Sequence, residues 1–183
     1  MNTDNPLIFL IDTLFDIYIA LLLLRFLLQQ VGADFYNPIS QFIVKMTQPP
    51  VKIARRIIPA YRRIDLATLV LAVVFIFIKL FVLTSLGGYR ASAGALLLVS
   101  LHDLISLLFD IFIFAIFIQA ILSWINPDPY NPVVAILRSL TAPVLRPVQR
   151  MVPMVGGLDF SPIVALIGLM FLKRLVLYFF PML

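Results

Sequence analysis

Cysteine is absent from the chain, histidine occurs once, and charged residues make up only 13% of its 183 positions. The first absence excludes disulfides, thiolate metal sites and cysteine nucleophiles. With His102 as the single imidazole, carboxylates remain as the only hard-metal ligands, and no acidic cluster has the spacing of a metal site. The sequence therefore predicts neither a metal nor a cofactor.

Charge is scarce because the chain is oily: 62% of its residues are hydrophobic and its mean hydropathy is +1.07. A soluble domain needs a charged surface, for which about a quarter of the residues are usually charged. We therefore expect lipid to be the main solvent. The 14 Lys and Arg exceed the 9 Asp and Glu, and they lie beside apolar stretches, which favours anionic lipid headgroups over nucleic acid as a partner.

The first apolar stretch does not have the features of a removable signal peptide. No Lys or Arg precedes Arg25, and the stretch contains Asp12 and Asp16. It is also not followed by the small-residue cleavage site of a signal peptide. We expect it to persist as a helix.

The second half of the chain repeats the first half without a gap when the sequence is shifted by 94 positions. The residues that match are the unusual ones in an oily sequence, mainly charged residues and prolines. The matched pairs include Asp16 and Asp110, Asn37 and Asn131, Pro38 and Pro132, Thr47 and Thr141, Pro49 and Pro143, Arg56 and Arg150, Pro59 and Pro153, Asp65 and Asp159, and Lys79 and Lys173. Chance similarity between oily helices would not align charges with charges, so the pattern indicates a duplicated module.

Each module contains an apolar span, a proline-punctuated basic segment, a short acidic turn and a second apolar span. The spans are 7–29 and 66–86, then 101–124 and 160–180; the basic segments are 37–59 and 131–153. Each span has about the 20 residues needed to cross a bilayer. Two spans per module is an even number, so both modules insert with the same orientation. We predict an all-α membrane protein with four transmembrane helices in two parallel tandem repeats, residues 1–94 and 95–183.

The distribution of cations predicts the orientation in the membrane. Most of the loop cations lie within the two modules, whereas the loop between the modules, 87–94, contains only Arg90. Because positively charged loops stay on the cytoplasmic side, both basic segments are expected in the cytoplasm and both termini outside.

Both basic segments have the pattern of an amphipathic helix that a proline interrupts. Asn caps free backbone amides, Pro fits the first helical turn, and an internal Pro ends or kinks a helix, with a nearby Thr satisfying backbone groups. The residues with these structural roles are Asn37, Pro38, Thr47, Pro49 and Pro59, repeated as Asn131, Pro132, Thr141, Pro143 and Pro153.

After the internal proline, each segment carries cations on one helix face. These cations are Lys52, Arg55 and Arg56 in the first copy, and Arg146 and Arg150 in the second. Helices of this kind lie in the headgroup layer with their cations toward lipid phosphate. The alternatives are a re-entrant element or a docking platform for an unidentified membrane protein partner.

Two charges recur inside the apolar spans, Asp16 with Lys79 and Asp110 with Lys173. A single charge at the bilayer centre costs about 2.5 to 3.5 kcal/mol, so such residues usually pair or face a polar cavity. In each module the two residues lie at similar depth on antiparallel spans. The sequence predicts one ion pair per module that fixes helix register, and the alternative is a proton or ion relay.

Catalysis has no support in the sequence. No nucleophile, base and orienting group occur in a recognisable arrangement, and Gly87-Gly88 and Gly156-Gly157 have the pattern of turns rather than of a phosphate loop. We expect a protein that is not an enzyme.

Three runs stand out in the tandem pattern: Asp-Phe-Tyr-Asn-Pro at 34–38, Thr-x-Pro at 47–49 leading to Arg-Arg-x-x-Pro at 55–59, and Gly-Gly-Leu-Asp-Phe-Ser-Pro at 156–162. Together they resemble the YggT family of bacterial inner-membrane proteins. Two departures are Pro129 in place of an aromatic residue and Gln149, which breaks the arginine pair of the second copy. They leave the first basic segment as the better candidate for lipid or partner contact.

The resemblance implies a location in the bacterial inner membrane. It also implies single-module relatives linked to cell division, nucleoid distribution or cytochrome assembly, and a link of the two-module form to hyperosmotic tolerance and potassium homeostasis. We therefore expect a membrane organiser or assembly factor, which could form a homo-oligomer. The rival hypothesis is a conduit for potassium, protons or osmolytes in hyperosmotic stress.

Overall fold

The computed structural model describes residues 5–59, 64–125, 131–152 and 159–180. Within these ranges the chain forms six helices and no β-strand. The helices are α1 Pro6–Gln30, α2 Pro38–Ile57, α3 Leu66–Leu86, α4 Ala93–Ile125, α5 Pro132–Met151 and α6 Ser161–Tyr178. Four of them, α1, α3, α4 and α6, are long and apolar enough to cross a membrane. The prediction of an all-helical protein with four spans is therefore confirmed.

The third span begins earlier than expected, at Ala93 rather than at Leu101. The Ser92 hydroxyl accepts a hydrogen bond from the Ala95 amide at 3.2 Å and caps the extra turns. Just before, Gly88 ends α3 with a φ of +73°, which glycine adopts without steric cost, and the Tyr89 amide returns to the Thr84 carbonyl at 2.9 Å. The loop between the modules is thus shorter than the sequence indicated.

The short helices α2 and α5 contact each other and lie at one end of the bundle, which we call the basic end. Both begin as the Asn-Pro pattern predicts. The Asn37 side chain accepts from the Ile39 amide, and the Asn131 side chain from the Val133 amide, each at 2.9 Å. The chain therefore contains two successive units with the same orientation. Each unit consists of a span, a short helix and a second span.

The sequence predicts that an internal proline ends or kinks each short helix, and neither helix ends there. Helix α2 runs on to Ile57 with Pro49 and Pro50 inside it, and α5 likewise continues past its internal prolines to its end. In α2 the missing amides remove the helical donors to the carbonyls of Lys45 and Met46. Both residues are exposed, so water or headgroups can hydrate these carbonyls without the helix breaking. Pro59 follows the end of α2, and Pro153 lies outside the described residues.

The modules pack against each other through α3 and α4. A buried cluster centred on Ile19, Leu22 and Ile76 in the first module is covered by leucines and an isoleucine of α4. Within each module the two spans also contact each other, α1 with α3 and α4 with α6. Among the described residues α1 and α6 have no contact, so the two modules use different faces at their common interface.

Candidate functional site

The charges inside the spans form one ion pair in each module. Lys79 Nζ lies 2.7 Å from Asp16 Oδ1 and joins α3 to α1. Lys173 Nζ lies 2.6 Å from Asp110 Oδ1 and joins α6 to α4. The structure thus brings together the four residues that the sequence singled out. It adds Asp12, whose Oδ1 is 3.3 Å from Lys79 Nζ, so the first pair has a second carboxylate.

A second tether joins each first span to its short helix at the basic end. Arg25 is buried, and its guanidinium donates to the Thr47 hydroxyl at 3.0 Å, to the Gln48 side-chain oxygen at 2.8 Å and to the Val44 carbonyl at 3.4 Å. All three acceptors are neutral. In the second module the Thr141 hydroxyl bonds to Gln119.

A third tether joins each short helix to the start of the second span. Arg55 Nη2 lies 2.5 Å from Asp65 Oδ2, and the Thr68 hydroxyl donates to the same oxygen at 2.6 Å. Burial raises the pKa of the Asp65 carboxyl, but the hydrogen bonds from Arg55 and Thr68 and the arginine charge outweigh it, so the net shift is downward. Arg55, expected to face lipid or a partner, is therefore also a tether within the protein.

The second module keeps this third tether without the cation. Gln149 Nε2 donates to Asp159 Oδ2 at 3.0 Å, and the Ser161 amide donates to Asp159 Oδ1 at 2.9 Å. Burial raises the pKa of Asp159, and the hydrogen bonds from Ser161 and Gln149 lower it by more. In both tethers at the basic end, an arginine of the first module thus corresponds to a glutamine in the second module.

A cavity of about 510 Å³ lies between α1 and α2 at the basic end. Its polar lining includes Arg25, Gln48, Arg55 and Ser40, and the rest is mostly apolar. The Ser40 side chain is buried, and its hydroxyl has no hydrogen-bond partner among the described residues. A buried polar atom without a partner is uncommon and points to a missing ligand or water.

The second module lacks this combination of polar residues. The positions that correspond to Arg25, Ser40, Gln48 and Arg55 in the 94-residue register hold Gln119, Val134, Ala142 and Gln149. Two arginines have become glutamines, and two neutral polar groups have become apolar. These four side chains line one cavity in the first module, so the two modules differ in charge and polarity at this place.

The remaining predicted cations lie on the outer surface of the short helices. They are Lys52 and Arg56 on α2, and Arg146 and Arg150 on α5, all exposed. Beside the cations of α2 runs an exposed apolar stripe, made of Phe42, Met46, Ile53 and Ile57. The face of α2 that packs on the protein is a third one, with Ile43, Thr47 and Val51 buried.

Sequence reasoning missed the partners of several of these groups. The matching positions of Arg25 and Gln119 indicate snorkelling or a hydrogen bond between helices, but nothing in the sequence identified Thr47 and Thr141 as their partners. The signal that could have found them is the joint preservation of hydrogen-bonding capacity at two positions whose charge changes. Ser40 had no such signal, because its role depends on the cavity.

The comparisons with known proteins agree with the tandem architecture. The family model described as CCB3/YggT matches the chain twice, over residues 5–86 and 98–180. An uncharacterised protein of Pseudomonas aeruginosa is 42% identical over 179 residues, which cover 97% of this chain and 91% of the relative. An uncharacterised protein of Vibrio alginolyticus is 43% identical over 94% of each chain. The uncharacterised protein YggT of Escherichia coli is 39% identical over 87% of this chain and 83% of the relative. No solved structure matches the chain significantly.

Proposed function

The chain belongs to the CCB3/YggT family, and from this premise we propose that it is a non-enzymatic membrane organiser that binds an anionic lipid headgroup in the cavity of its first module. The observation that carries the proposal is the buried Arg25, whose hydrogen-bond acceptors are all neutral. The organiser role rests on two points. The sequence carries no catalytic constellation, and a protein that fixes lipid at its surface holds other components in place.

The charge balance of the cavity favours an anion. Arg25 and Arg55 bring two positive charges to its lining, and Asp65 compensates one of them. A buried cation without a counterion is costly, and a phosphate bound beside Arg25 removes that cost. The Ser40 hydroxyl, which lacks a partner, donates to a phosphate oxygen in the same position.

The surface of α2 supports a position of the cavity at the depth of lipid phosphates. Exposed Lys45, Lys52 and Arg56 lie on one face of the helix, and exposed Ile53 and Ile57 lie on another. A helix with this division rests in the headgroup layer, with the apolar face toward acyl chains and the cations toward phosphate. The cavity is within the range of about 300–1,000 Å³ that is usual for small-ligand sites.

The distribution of cations supports the orientation that we propose. The basic end lies in the cytoplasm and both termini lie outside, because cationic loops remain on the cytoplasmic side. The inner membrane of a bacterium is the location that the family resemblance implies. The exposed cations of α2 and α5 also offer a docking surface for a membrane protein partner. A supporting role in hyperosmotic stress rests on the family resemblance alone.

Lipid binding is tested with the protein in nanodiscs of phosphatidylcholine that contain increasing amounts of phosphatidylglycerol. Bound lipid is counted by native mass spectrometry. The variant Arg25→Gln with Ser40→Val installs the residues of the second module, and we expect it to weaken binding of the anionic lipid about tenfold, since a hydrogen bond to a charged group contributes about 1.5–3 kcal/mol. The matched control Arg146→Gln removes an exposed cation of α5 and leaves tight binding unchanged.

Equal binding of phosphatidylglycerol by the wild type and the Arg25→Gln, Ser40→Val variant contradicts the proposal. Inorganic phosphate serves as a competitor. If it displaces the lipid at millimolar concentration, the cavity recognises a free phosphate rather than a lipid.

A further inference from the structure

The two modules of one chain meet through unlike faces. On the first module this face, which we call the front face, is formed on α3 by Ala72, Ile76 and Leu80. On the second module the back face is formed on α4 by Leu104, Leu107, Leu108 and Ile111, and on α5 by Ile136 and Leu140. An interface between unlike faces of repeated units leaves one unused copy of each face at the two ends.

The repeat register locates the unused copies. The back face of the first module consists of Leu10, Thr13, Leu14 and Ile17 on α1, with Phe42 and Met46 on α2. The front face of the second module consists of Leu166, Met170 and Arg174 on α6. We propose that copies of this chain assemble head to tail, with the back face of one copy on the front face of the next.

Burial differs between the two copies of these positions: one copy is buried at the interface between the modules, and the other is exposed. Ile136 is 7% exposed in the contact between the modules, whereas its counterpart Phe42 is 55% exposed. Ile76 is fully buried, whereas its counterpart Met170 is 51% exposed. Lipid covers any apolar surface in a membrane, so exposure alone does not identify the partner.

A paired change of polarity identifies a second copy as the partner. Leu80 of the front face and Leu107 of the back face pack against the same apolar cluster between the modules. Their counterparts are Arg174 and Thr13, so both sides of the unused interface gained a polar group at corresponding positions.

Arg174 has donors available for such a contact. It is exposed on α6, and it has no hydrogen bond or ion pair among the described residues. It lies four residues before the end of α6 at Tyr178, so its guanidinium reaches either the headgroups or the Thr13 hydroxyl of a second copy.

The basic end supplies a matching polar contact. Asn37 Nδ2 donates to the Pro132 carbonyl at 2.9 Å and links the modules within one chain. Its counterpart Asn131 is exposed and uses only its side-chain oxygen among the described residues. In the assembly the side-chain amide of Asn131 donates to the Pro38 carbonyl of the next copy. This bond repeats the one from Asn37 to Pro132 between the modules of one chain.

The lack of cysteine in the chain makes a direct test possible. Two differently tagged copies are expressed together in the native membrane, one with Ile17→Cys and the other with Met170→Cys, and are treated with a short thiol crosslinker. We expect a crosslinked product that carries both tags. Neither variant expressed alone forms a crosslinked dimer, because the interface joins unlike faces.

Exposed Ile78 of α3, which lies on neither face, gives the matched control. Expression of Ile78→Cys with Met170→Cys measures random collisions, and an equal crosslinking yield for this pair overturns the proposal. Dimers of Ile17→Cys alone also overturn it, since they require like faces to meet. Absence of any product overturns it when both thiols react with a membrane-permeant maleimide.

The polar contact has its own test. Arg174→Leu in the Met170→Cys copy removes the donor to Thr13, and we expect the crosslinking yield to fall about threefold, since polar contacts between spans average about 0.6 kcal/mol. Arg174→Lys keeps a donor and the yield. An unchanged yield with Arg174→Leu overturns the assigned pairing of faces.

Discussion

Replacement of Lys79 by Met breaks the ion pair between α1 and α3 and tests whether this contact holds the first module together. Lys79 Nζ lies 2.7 Å from Asp16 Oδ1 and 3.3 Å from Asp12 Oδ1. At a rise of about 1.5 Å per residue, Asp16 is about 15 Å from the start of α1 and Asp12 only about 9 Å. Removal of the Lys79 ammonium therefore leaves mainly the Asp16 carboxylate without a partner, because Asp12 lies closer to water.

The expected magnitude follows from the unpaired carboxylate. An isolated charge at this depth costs about 2.5 to 3.5 kcal/mol, and breaking a buried pair by removal of one partner costs about 3–5 kcal/mol. We expect Lys79→Met to lower the free energy of unfolding by about 3 kcal/mol. Addition of Asp16→Asn removes the stranded charge and recovers about 2 kcal/mol of that loss.

The measurement is equilibrium unfolding in mixed micelles, followed by circular dichroism, for both single variants, the double variant and the wild type. Lys45→Met removes an exposed cation of α2 and is the control, with an expected effect within about 0.5 kcal/mol. The reasoning is refuted if Lys79→Met costs less than about 1 kcal/mol, or if the double variant loses the sum of the two single effects.

Three further predictions concern the tethers and the rival function. The folded pKa of Asp65 lies below its ordinary value, so its contribution to stability is complete above about pH 4 and is lost as the pH falls through the folded pKa; unfolding at several pH values should show this loss, and Asp65→Asn should remove it. Asn37→Ala should cost about 1 kcal/mol more than Asn131→Ala in the same assay, because both lose a helix cap but only Asn37 also bonds across the modules. If Asp16 and Asp110 serve structure rather than conduction, liposomes with purified protein should show no more potassium or proton flux than empty ones; flux that Asp16→Asn with Asp110→Asn abolishes would support the conduit instead.

The repeat explains why the membrane-depth pairs were visible in the sequence. Asp16 and Lys79 stand out because charge is rare in an apolar span, and the second copy at Asp110 and Lys173 restricts the pairing to two spans of known direction. Helix starts were equally accessible, since Asn-Pro acts through atoms within three residues. The sequence left open whether Pro49 ends or kinks its helix, because the outcome depends on the exposure of the carbonyl that loses its donor, which is a property of the folded protein.

The site at the basic end could not be read in the same way. Arg25 lies near the end of an apolar span, where snorkelling to the headgroups explains a cation without any partner. Its contacts with Thr47 and Gln48 depend on how α2 folds back across α1, which no local pattern encodes. The cavity and the orphan hydroxyl of Ser40 arise from the same packing.

The length of α4 has a mechanical consequence. At about 1.5 Å per residue a helix of 33 residues is about 50 Å long, whereas the hydrocarbon layer is about 30 Å thick and the neighbouring α3 has only 21 residues. A helix of this length must tilt or extend beyond the hydrocarbon layer, and its tilt angle changes with bilayer thickness. Because α4 forms most of the interface between the two modules, a change in bilayer thickness that tilts α4 displaces the whole bundle.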